Sequence, residues 1–344
     1  MAKVSIVTSV YNKAPWLDRF FQSVINQSYS DIEILVINNA STDESASIID
    51  KYKKIDSRIR VITLNNNIGP GGGFGLGINK VTSEYFTICD SDDYIESNYI
   101  EVLLKKIIEN GADLSMCTND MVWHDGTVRI NNRPGKDIIF TSKDSPQMLP
   151  QLLDHHSDKY LGYYLAELGV VWGKLYKTSF IRKNNLNYST DEWLYCDWLF
   201  NFKVYKSFRK MVYTEDTVYH YYQDDNSVTN NKKMNWNKIS QIKTILSKFD
   251  FVASDVMTKP LNKALTRFEC NNILALVGMF LTYYPDIVKK TDLKAMIREV
   301  SGWSVVKKIH FFDQNGLGIA SKCKMQLIKY RIVFPFIIKR FLKG

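Results

Sequence analysis

The sequence of 344 residues has few cysteines and no long hydrophobic run, and each absence excludes a class of protein. Its five cysteines are scattered and form no C-x-x-C pair, which argues against a disulfide framework or a zinc site and favours a reducing compartment. The most apolar helix-like run, residues 273–281, is far shorter than the roughly 20 residues that a bilayer span needs. The N-terminal residues also lack the apolar core of a signal peptide. We therefore expect a protein of the cytosol without a membrane-spanning helix.

The glycine-rich segment 69–77, here called the glycine run, lacks the two standard nucleotide fingerprints. No window places glycine at positions i, i+2 and i+5, and no Gly-Lys-Ser/Thr follows. The dinucleotide fingerprint and the P-loop are therefore excluded. What remains is either a structural turn or a flexible backbone that approaches an anionic ligand at the start of a helix.

Positive charge exceeds negative charge, with 45 Lys and Arg against 36 Asp and Glu, a formal net charge of +9. A nucleic-acid-binding protein would spread its basic residues over one face, whereas this excess is concentrated in residues 322–344, which contain no acidic residue. Large apolar residues alternate there with cations, which predicts an interfacial segment on an anionic membrane surface. The alternative is an amphipathic helix docked on the body of the protein or in a homodimer interface.

Strand-like and helix-like runs alternate through the first part of the chain. Apolar runs at 4–10, 32–37, 59–63 and 85–89 alternate with helix-like stretches, the last of which is 75–81, and this pattern predicts an α/β protein with a Rossmann-like wound, mostly parallel sheet. Two short strand-like pieces, at 211–213 and 217–222, complete this part of the chain. Beyond residue 230 the periodicity is almost entirely helical. We predict three regions, a sheet domain, a C-terminal helical extension and a basic tail, at residues 1–231, 232–321 and 322–344.

Three carboxylates follow directly on the run 85–89, in the sequence Asp90-Ser91-Asp92-Asp93, here called the aspartate cluster. Like charges this close repel one another unless a cation lies among them, and the end of a strand is where an open α/β sheet presents its ligand site. Mg²⁺ or Mn²⁺ fits, because these ions take oxygen ligands and commonly bridge carboxylates to phosphates. The alternative is a solvated acidic turn that caps the next helix.

Small polar residues follow the first two strand-like runs. The first run ends in Thr8, Ser9 and Asn12, and the second is followed by Asn38 and Asn39. Parallel strands bring these residues to the same sheet edge as the aspartate cluster. Together with the glycine run, they predict a pocket for a nucleotide diphosphate.

This ordered set of motifs resembles the family 2 glycosyltransferases with the GT-A fold, of the bacterial polysaccharide-biosynthesis type. The resemblance begins with the first strand, Ser41-Thr42-Asp43, Asn67 with Gly69, and the aspartate cluster as the DxD motif. It continues through the segments 171–177, 196–200 and 219–229. It covers about residues 3–230.

The resemblance implies an inverting enzyme that moves a sugar from a UDP- or dTDP-sugar to a hydroxyl of a glycan or polyprenyl-linked acceptor, in the synthesis of a surface polysaccharide. It implies Mn²⁺ or Mg²⁺ held by Asp90 and Asp92, with His220 as a further ligand. Asp197 falls at the catalytic base, which takes the proton of the acceptor hydroxyl. The implied donor-binding residues are Thr8, Ser9, Asn12, Asn39, Asn67, Gly69, Gly71, Gly72, Asp90 and Ser91.

Two departures from the family pattern affect these roles. An aspartate that often receives the uracil N3–H is Asn39 here, whose amide oxygen could still accept that bond. The glutamate that often precedes the base is Cys196. The expected location is cytoplasmic and peripheral, on the inner face of the cell membrane. Alternatives are a soluble glycosyltransferase acting on protein or a teichoic-acid-type polymer, and a nucleotidyltransferase, whose glycine-rich basic loop is not found in residues 8–13.

Overall fold

The computed structural model describes residues 3–130, 135–154, 165–189, 192–223, 236–283, 290–309 and 317–332. The chain divides into two compact units. The sheet unit contains Met1–Ser145 and Leu161–Asp225, and the helical unit contains Pro146–Tyr160 and Asn226–Gly344. The sequence did not indicate that Pro146–Tyr160 joins the helical unit. The predicted boundary at residue 231 lies outside the described residues.

The described residues of the sheet unit contain one sheet of ten strands. The strand order is β3-β2-β1-β4-β9-β6-β10-β5, and two further strands pair at the side, β7 with β6 and β8 with β10. The strands are β1 (Val4–Val10), β2 (Ile32–Asn38), β3 (Ile59–Thr63), β4 (Tyr85–Ile88), β5 (Tyr94–Ile95), β6 (Leu114–Trp123), β7 (Val128–Ile130), β8 (Ile138–Thr141), β9 (Lys174–Lys177) and β10 (Lys210–Gln223).

The first four strands are parallel, so their carboxyl ends meet at one edge. The apolar side chains of β1, β2 and β4 are buried because helices cover both faces, as the short apolar runs predicted, whereas Val61 and Ile62 of the edge strand β3 are half-buried. The helices of this unit are α1 (Ala14–Ile25), α2 (Ser45–Ile55), α3 (Gly69–Lys80), α4 (Tyr99–Asn110), α6 (Thr178–Lys183) and α7 (Cys196–Ser207), whereas α5 (Ser145–Leu153) belongs, after its first residue, to the helical unit. The predicted α/β class with a mostly parallel sheet is confirmed.

Strand β10 is longer than the sequence indicated. Two short strand-like pieces were expected, at 211–213 and 217–222, whereas the structure joins them into one strand parallel to β6, with irregular register between Thr214 and Tyr219. Its second half pairs with the short strand β5, where Tyr219 lies opposite Ile95. The end of β10 therefore lies beside the turn that contains the aspartate cluster.

The helical unit contains α8 (Trp236–Ala253), α9 (Lys259–Tyr283), α10 (Lys290–Ser301), α11 (Ser304–Lys308) and α12 (Ile319–Lys329). In the described part of the chain, none of the helices has the length and apolarity needed to cross a membrane. Helix α12 packs on α9 and α10 and buries Met325 and Ile328. Residues 322–329 of the predicted tail are therefore docked on their own unit, and residues 333–344 lie outside the described residues.

Candidate active site

The aspartate cluster forms a tight turn after β4. The backbone N–H of Asp93 donates to the carbonyl oxygen of Asp90 at 3.2 Å, which closes the turn. The buried Ser91 hydroxyl donates to the carbonyl oxygen of Ser9 at 3.2 Å. The turn is thereby attached to the carboxyl end of β1, as the order of parallel strands predicted.

Asp93 holds this turn to β10. Its side chain is buried, and its Oδ2 and Oδ1 accept hydrogen bonds from the Tyr219 hydroxyl at 2.6 Å and the Tyr222 backbone N–H at 2.8 Å. The Tyr219 ring stacks on Trp172 with centroids 4.6 Å apart. Burial and the charges of Asp92 and Asp90 raise the pKa of Asp93 well above its usual range. Because both oxygens already accept hydrogen bonds, Asp93 serves the shape of the turn.

Asp92 is contacted by two cations that the sequence did not single out. The Lys13 ammonium pairs with the Asp92 carboxylate. Arg19 Nη2 donates to the Asp92 carbonyl oxygen at 2.6 Å, and its guanidinium lies over the Tyr222 ring, 3.8 Å from the centroid. The only signal for Lys13 was its position directly after the polar end of β1. Arg19 lies on the covered helix α1 and gave no signal.

Asp90 is partly exposed and lies where negative charge accumulates. Burial raises the pKa of its carboxyl group well above the usual range, the charges of Asp92 and Asp197 raise it further, and Lys13 opposes them. An accumulation of this kind favours a cation. No group of three or more His, Cys, Asp or Glu suited to a metal is found among the described residues. One or two carboxylates are, however, what Mg²⁺ commonly takes from a protein when phosphates and waters supply the rest, so Asp90 and Asp92 fit such an ion.

The structure does not bring His220 into this set. Its Nε2 lies 2.7 Å from Glu96 Oε1, and its ring stacks on Tyr94 with centroids 4.5 Å apart. Side chains alternate along a strand, and Tyr219 and Tyr221 on either side of His220 both stack on Trp172. The imidazole of His220 is therefore directed away from that face and toward Glu96.

Two of the predicted donor-binding residues are buried, and one of them, Asn39, is engaged in structural hydrogen bonds. The Thr8 side chain is fully buried within β1. The Asn39 side chain is 2% exposed, accepts a hydrogen bond from the Ile68 backbone N–H at 2.9 Å and donates to the Gly69 carbonyl oxygen at 3.0 Å. The Asn39 amide oxygen that could accept a uracil N3–H thus holds the turn before α3 instead. For either side chain to contact a nucleotide-sugar donor, the structure around it must rearrange.

Asn12 and Ser9 lie nearer to the surface. Asn12 adopts φ of 53°, and its Oδ1 accepts a hydrogen bond from the Thr42 backbone N–H at 2.8 Å, while the Ser41 hydroxyl accepts from the Asn12 backbone N–H at 3.2 Å. These bonds attach the end of β1 to the turn after β2. Ser9 is half-buried beside Gly73. Both residues remain candidates for contacts with a nucleotide.

The glycine run is helical from its first residue, although the sequence predicted a helix only from residue 75. It forms the first turns of α3, and Asn67 Oδ1 accepts a hydrogen bond from the Gly69 backbone N–H at 2.8 Å. Glycine is required here by close packing. A Cβ on Gly71 would lie 2.7 Å from the Glu192 carbonyl oxygen, and one on Gly72 would lie 2.9 Å from Ile68. The buried glycines let α3 approach its neighbours, and this packing accounts for the run without a ligand.

Asp197 lies in the first turn of α7. Its Oδ1 accepts hydrogen bonds from the Tyr188 hydroxyl at 3.1 Å and the Cys196 thiol at 3.5 Å. Burial raises the pKa of Asp197, whereas both hydrogen bonds and the nearby charge of Lys174 lower it. The charge of Asp197 also raises the pKa of Asp90, so the two carboxylates are close enough to interact electrostatically.

Lys174 is a further charged residue of this region whose role the sequence did not indicate. It is fully buried on β9, and its ammonium donates to the carbonyl oxygens of Val170 and, at 2.6 Å, Glu167. Burial lowers the pKa of Lys174 to about 7, while the charges of Glu167 and Asp197 raise it. When protonated, Lys174 thus places a positive charge near enough to Asp197 to lower its pKa.

Comparisons with known proteins agree with this geometry. Residues 5–160 match the sequence model of the family described as Glycosyl transferase family 2. The chain is 30% identical over 219 residues to glycosyltransferase GlyA of Streptococcus pneumoniae, an alignment that covers 64% of this chain and 30% of GlyA. It is 25% identical over 341 residues to the uncharacterized glycosyltransferase EpsJ of Bacillus subtilis, covering 98% and 95% of the two chains.

The crystal structure of S. aureus TarS 1–349 in complex with UDP superposes on this chain with a TM-score of 0.69 and 15% sequence identity. The superposition covers 97% of this chain and 89% of that of TarS. At this identity the likeness shows the fold, and the expected GT-A fold is confirmed.

Proposed function

Because residues 5–160 of this chain match the sequence model of glycosyl transferase family 2, we propose that the protein is an inverting glycosyltransferase that uses a nucleotide sugar. The observation that carries the proposal is the electrostatic site formed by Asp90, Asp92 and Asp197. Two of these carboxylates lie in the turn after β4, and the third lies on α7. Burial raises the pKa of Asp90 most, and the charges of Asp92 and Asp197 raise it further, which supports placing the three carboxylates in one site.

We assign the role of general base to Asp197. A carboxylate at this place accepts the proton of the acceptor hydroxyl as its oxygen attacks the anomeric carbon, while the nucleotide diphosphate departs from the opposite face. Attack opposite the leaving group inverts the anomeric configuration. Hydrogen bonds from Tyr188 and Cys196 favour the ionised form that a base requires.

We assign the leaving-group side of the site to the aspartate cluster. Asp90 and Asp92 are the residues that would hold Mg²⁺ or Mn²⁺, which when bound would neutralise the negative charge of the departing diphosphate. Lys13 lies next to Asp92 and adds a cation from the protein itself. Arg19 fixes the backbone of the turn at Asp92, which keeps the carboxylates at the sheet edge.

The comparisons support a sugar donor carried by UDP and an acceptor in a glycan. TarS has been solved with UDP and with UDP-GlcNAc. A relative that is 29% identical over 124 residues is described as a putative teichuronic acid biosynthesis glycosyltransferase of Bacillus subtilis. We propose a UDP- or dTDP-sugar as donor and a glycan or polyprenyl-linked glycan of a surface polysaccharide as acceptor.

A thermal-unfolding panel of nucleotide sugars, each with and without Mn²⁺, tests the proposal. We expect one nucleotide sugar to stabilise the protein, by about 2.7 kcal/mol at a hundredfold excess over Kd, and to require the ion for this effect. Asp92→Asn should abolish the metal-dependent part. Asp18→Asn, which changes an exposed carboxylate paired with Lys51 at 2.8 Å, is the matched control and should leave it unchanged. Absence of stabilisation by every nucleotide sugar would contradict the proposed function.

Binding of the basic tail to an anionic membrane surface stays a prediction. Because α12 buries Met325 and Ile328 in the helical unit, a test should remove residues 333–344 alone and leave the packed helix intact. Sedimentation with vesicles of anionic lipid should then decrease relative to the full chain. Equal sedimentation of both proteins would remove the membrane from the proposal.

A further inference from the structure

Tyr188 contacts the proposed base Asp197 and packs against two aromatic rings. It belongs to the segment between α6 and α7, and 8% of its surface is exposed. Its ring stacks on Phe200 with centroids 4.7 Å apart and planes 3° from parallel. Phe74 of α3 contacts the same ring at a centroid distance of 6.2 Å. These contacts leave the ring little freedom to move.

Two glycines of α3 leave the space that this tyrosine occupies. A Cβ on Gly75 would lie 3.2 Å from the Cβ of Tyr188, and one on Gly71 would lie 3.4 Å from its ring. The Gly71 Cβ would also lie 3.1 Å from the Cβ of Cys196, the residue before the base. The close approach of α3 therefore fixes Tyr188 and the start of α7 together.

The Tyr188 hydroxyl makes its hydrogen bond to Asp197 Oδ1, at 3.1 Å. The pKa of this carboxylate is also lowered by the hydrogen bond from the Cys196 thiol and by the charge of Lys174. Among the described residues, Tyr188 and Cys196 both donate to the same oxygen, Oδ1, and Oδ2 is left to take a proton from an acceptor. Because both donors hold Oδ1, the orientation of the Asp197 carboxylate is fixed, as a general base requires.

We propose that Tyr188 is a positioning residue of the transfer reaction, which holds Oδ1 of Asp197 so that Oδ2 faces the acceptor hydroxyl. This inference rests on the proposed function, because it gives Asp197 the role of base. It adds a residue outside the motifs of the family resemblance. It also gives the glycine run a catalytic consequence, since Gly71 and Gly75 leave the space in which Tyr188 lies.

The test compares Tyr188→Phe with Tyr205→Phe in the full chain. Tyr205 is a fully buried tyrosine of the same helix as Asp197, and its hydroxyl donates to the Leu168 carbonyl oxygen at 2.9 Å instead of to the base. The measured rate is release of nucleotide from the sugar nucleotide selected by the binding panel, with water or a glycan as acceptor. We expect Tyr188→Phe to lower kcat about 10-fold or more and to leave the KM for the donor within about twofold, because a hydrogen bond to a charged group is lost. Tyr205→Phe should change neither.

The pH dependence of kcat provides a second readout, which would not change if the role of Tyr188 were purely structural. The hydrogen bond favours the ionised carboxylate, so its loss should raise the pKa of Asp197 and move the acid limb of the profile to higher pH by about one unit. If Tyr188→Phe fails to fold, 3-fluorotyrosine at position 188 keeps the ring and makes the hydroxyl a stronger donor. That replacement should move the limb to lower pH.

The outcomes separate this proposal from the proposed function. The positioning role alone would be overturned if Tyr188→Phe left both kcat and the acid limb of its pH profile unchanged, while turnover of the wild-type enzyme depended on Asp197. An equal loss in Tyr205→Phe would overturn it too, since the effect would then be structural. A wild-type protein that releases no nucleotide from any sugar nucleotide would instead overturn the proposed function.

Discussion

In the sheet unit, the buried carboxylate of Asp93 is held by neutral donors, whereas in the helical unit the buried carboxylate of Glu269 faces a cation. Asp93 accepts hydrogen bonds from a tyrosine hydroxyl and a backbone N–H. Glu269 is 1% exposed on α9, and its Oε1 lies 3.7 Å from the ammonium of Lys308, which pairs with Asp250 of α8. Directional bonds fix the shape of a turn, while a cation beyond hydrogen-bond distance offsets charge without fixing geometry. Asp93 therefore fixes the geometry of a turn in the sheet unit, whereas the charge of Glu269 in the helical unit depends on pH, because burial raises its pKa to about 8.

The two units also differ in what a helical glycine does. In α3, a Cβ on Gly77 would lie 2.4 Å from Val7 Cγ1 on the neighbouring strand. In α9, a Cβ on the exposed Gly278 would meet no atom of the described residues within 4 Å, outside the backbone of its own helix. Glycine costs helix stability in both places, but close packing compensates for it only in α3.

The first prediction asks whether the chemistry resides in the sheet unit. Asp197→Asn should lower transfer about 10²- to 10⁴-fold, because the amide keeps the shape of the carboxylate but cannot take a proton. Donor affinity and thermal stability should remain close to those of the wild type. Turnover with the donor found in the binding panel measures the first quantity, and ligand-induced stabilisation measures the second.

A matched change in the helical unit is the control for this variant. Glu269→Gln likewise replaces a buried carboxyl group by an amide, and it should leave kcat unchanged. Unimpaired turnover in Asp197→Asn would remove Asp197 from the role of base. A comparable loss of turnover in Glu269→Gln would contradict the division of roles between the two units.

The second prediction concerns pH and the stability of the helical unit. Burial raises the pKa of Glu269 to about 8, and the charge of Lys308 opposes this rise. A carboxyl group whose pKa is higher in the folded state binds more protons there. Its stabilisation is present below the unfolded pKa of about 4.3 and is lost as the pH rises through about 8. The free energy of unfolding should therefore fall between these values, by up to about 1.4 kcal/mol per pH unit from this group.

Thermal unfolding at pH values near the two ends of this window measures the effect. Glu269→Gln should reduce the difference between them, because an amide does not titrate. Glu299→Gln is the matched control, since Glu299 pairs with Lys243 at 2.9 Å on the surface of the same unit and that hydrogen bond lowers its pKa. The same pH dependence in wild type and Glu269→Gln would show that Glu269 is not the titrating group.

The third prediction compares the two helical glycines. Gly77→Ala should destabilise the protein by about 1–3 kcal/mol, because the added methyl group overlaps Val7 in a packed core. Gly278→Ala should stabilise it by up to about 1 kcal/mol, because alanine favours a helix and space is open around it. Denaturant unfolding of both variants measures the pair. If Gly77→Ala is as stable as the wild type, the packing explanation of the glycine run is wrong.

Much of the fold could be predicted from the sequence because its signals are local. Apolar runs separated by helix-like stretches define β1 to β4, and parallel strands necessarily bring their carboxyl ends to one edge. This reasoning placed the aspartate cluster beside Ser9. Strand β10 was predicted only as two pieces, because the irregular register between Thr214 and Tyr219 interrupts the alternation of its residues.

The sequence by itself determined the α/β architecture, the sheet edge at which polar residues gather and the resemblance to family 2 glycosyltransferases. These follow from strand periodicity and from the order of motifs, which are local properties of the sequence. Only the tertiary structure decided which cation meets Asp92, where His220 is directed and which hydroxyl holds Asp197. It also showed that the glycine run, which the sequence suggested could be a ligand-binding loop, is part of a closely packed helix. The physical reason is that the partners in these contacts are distant in sequence, as Lys13 and Asp92 are, so that packing of the whole chain selects them.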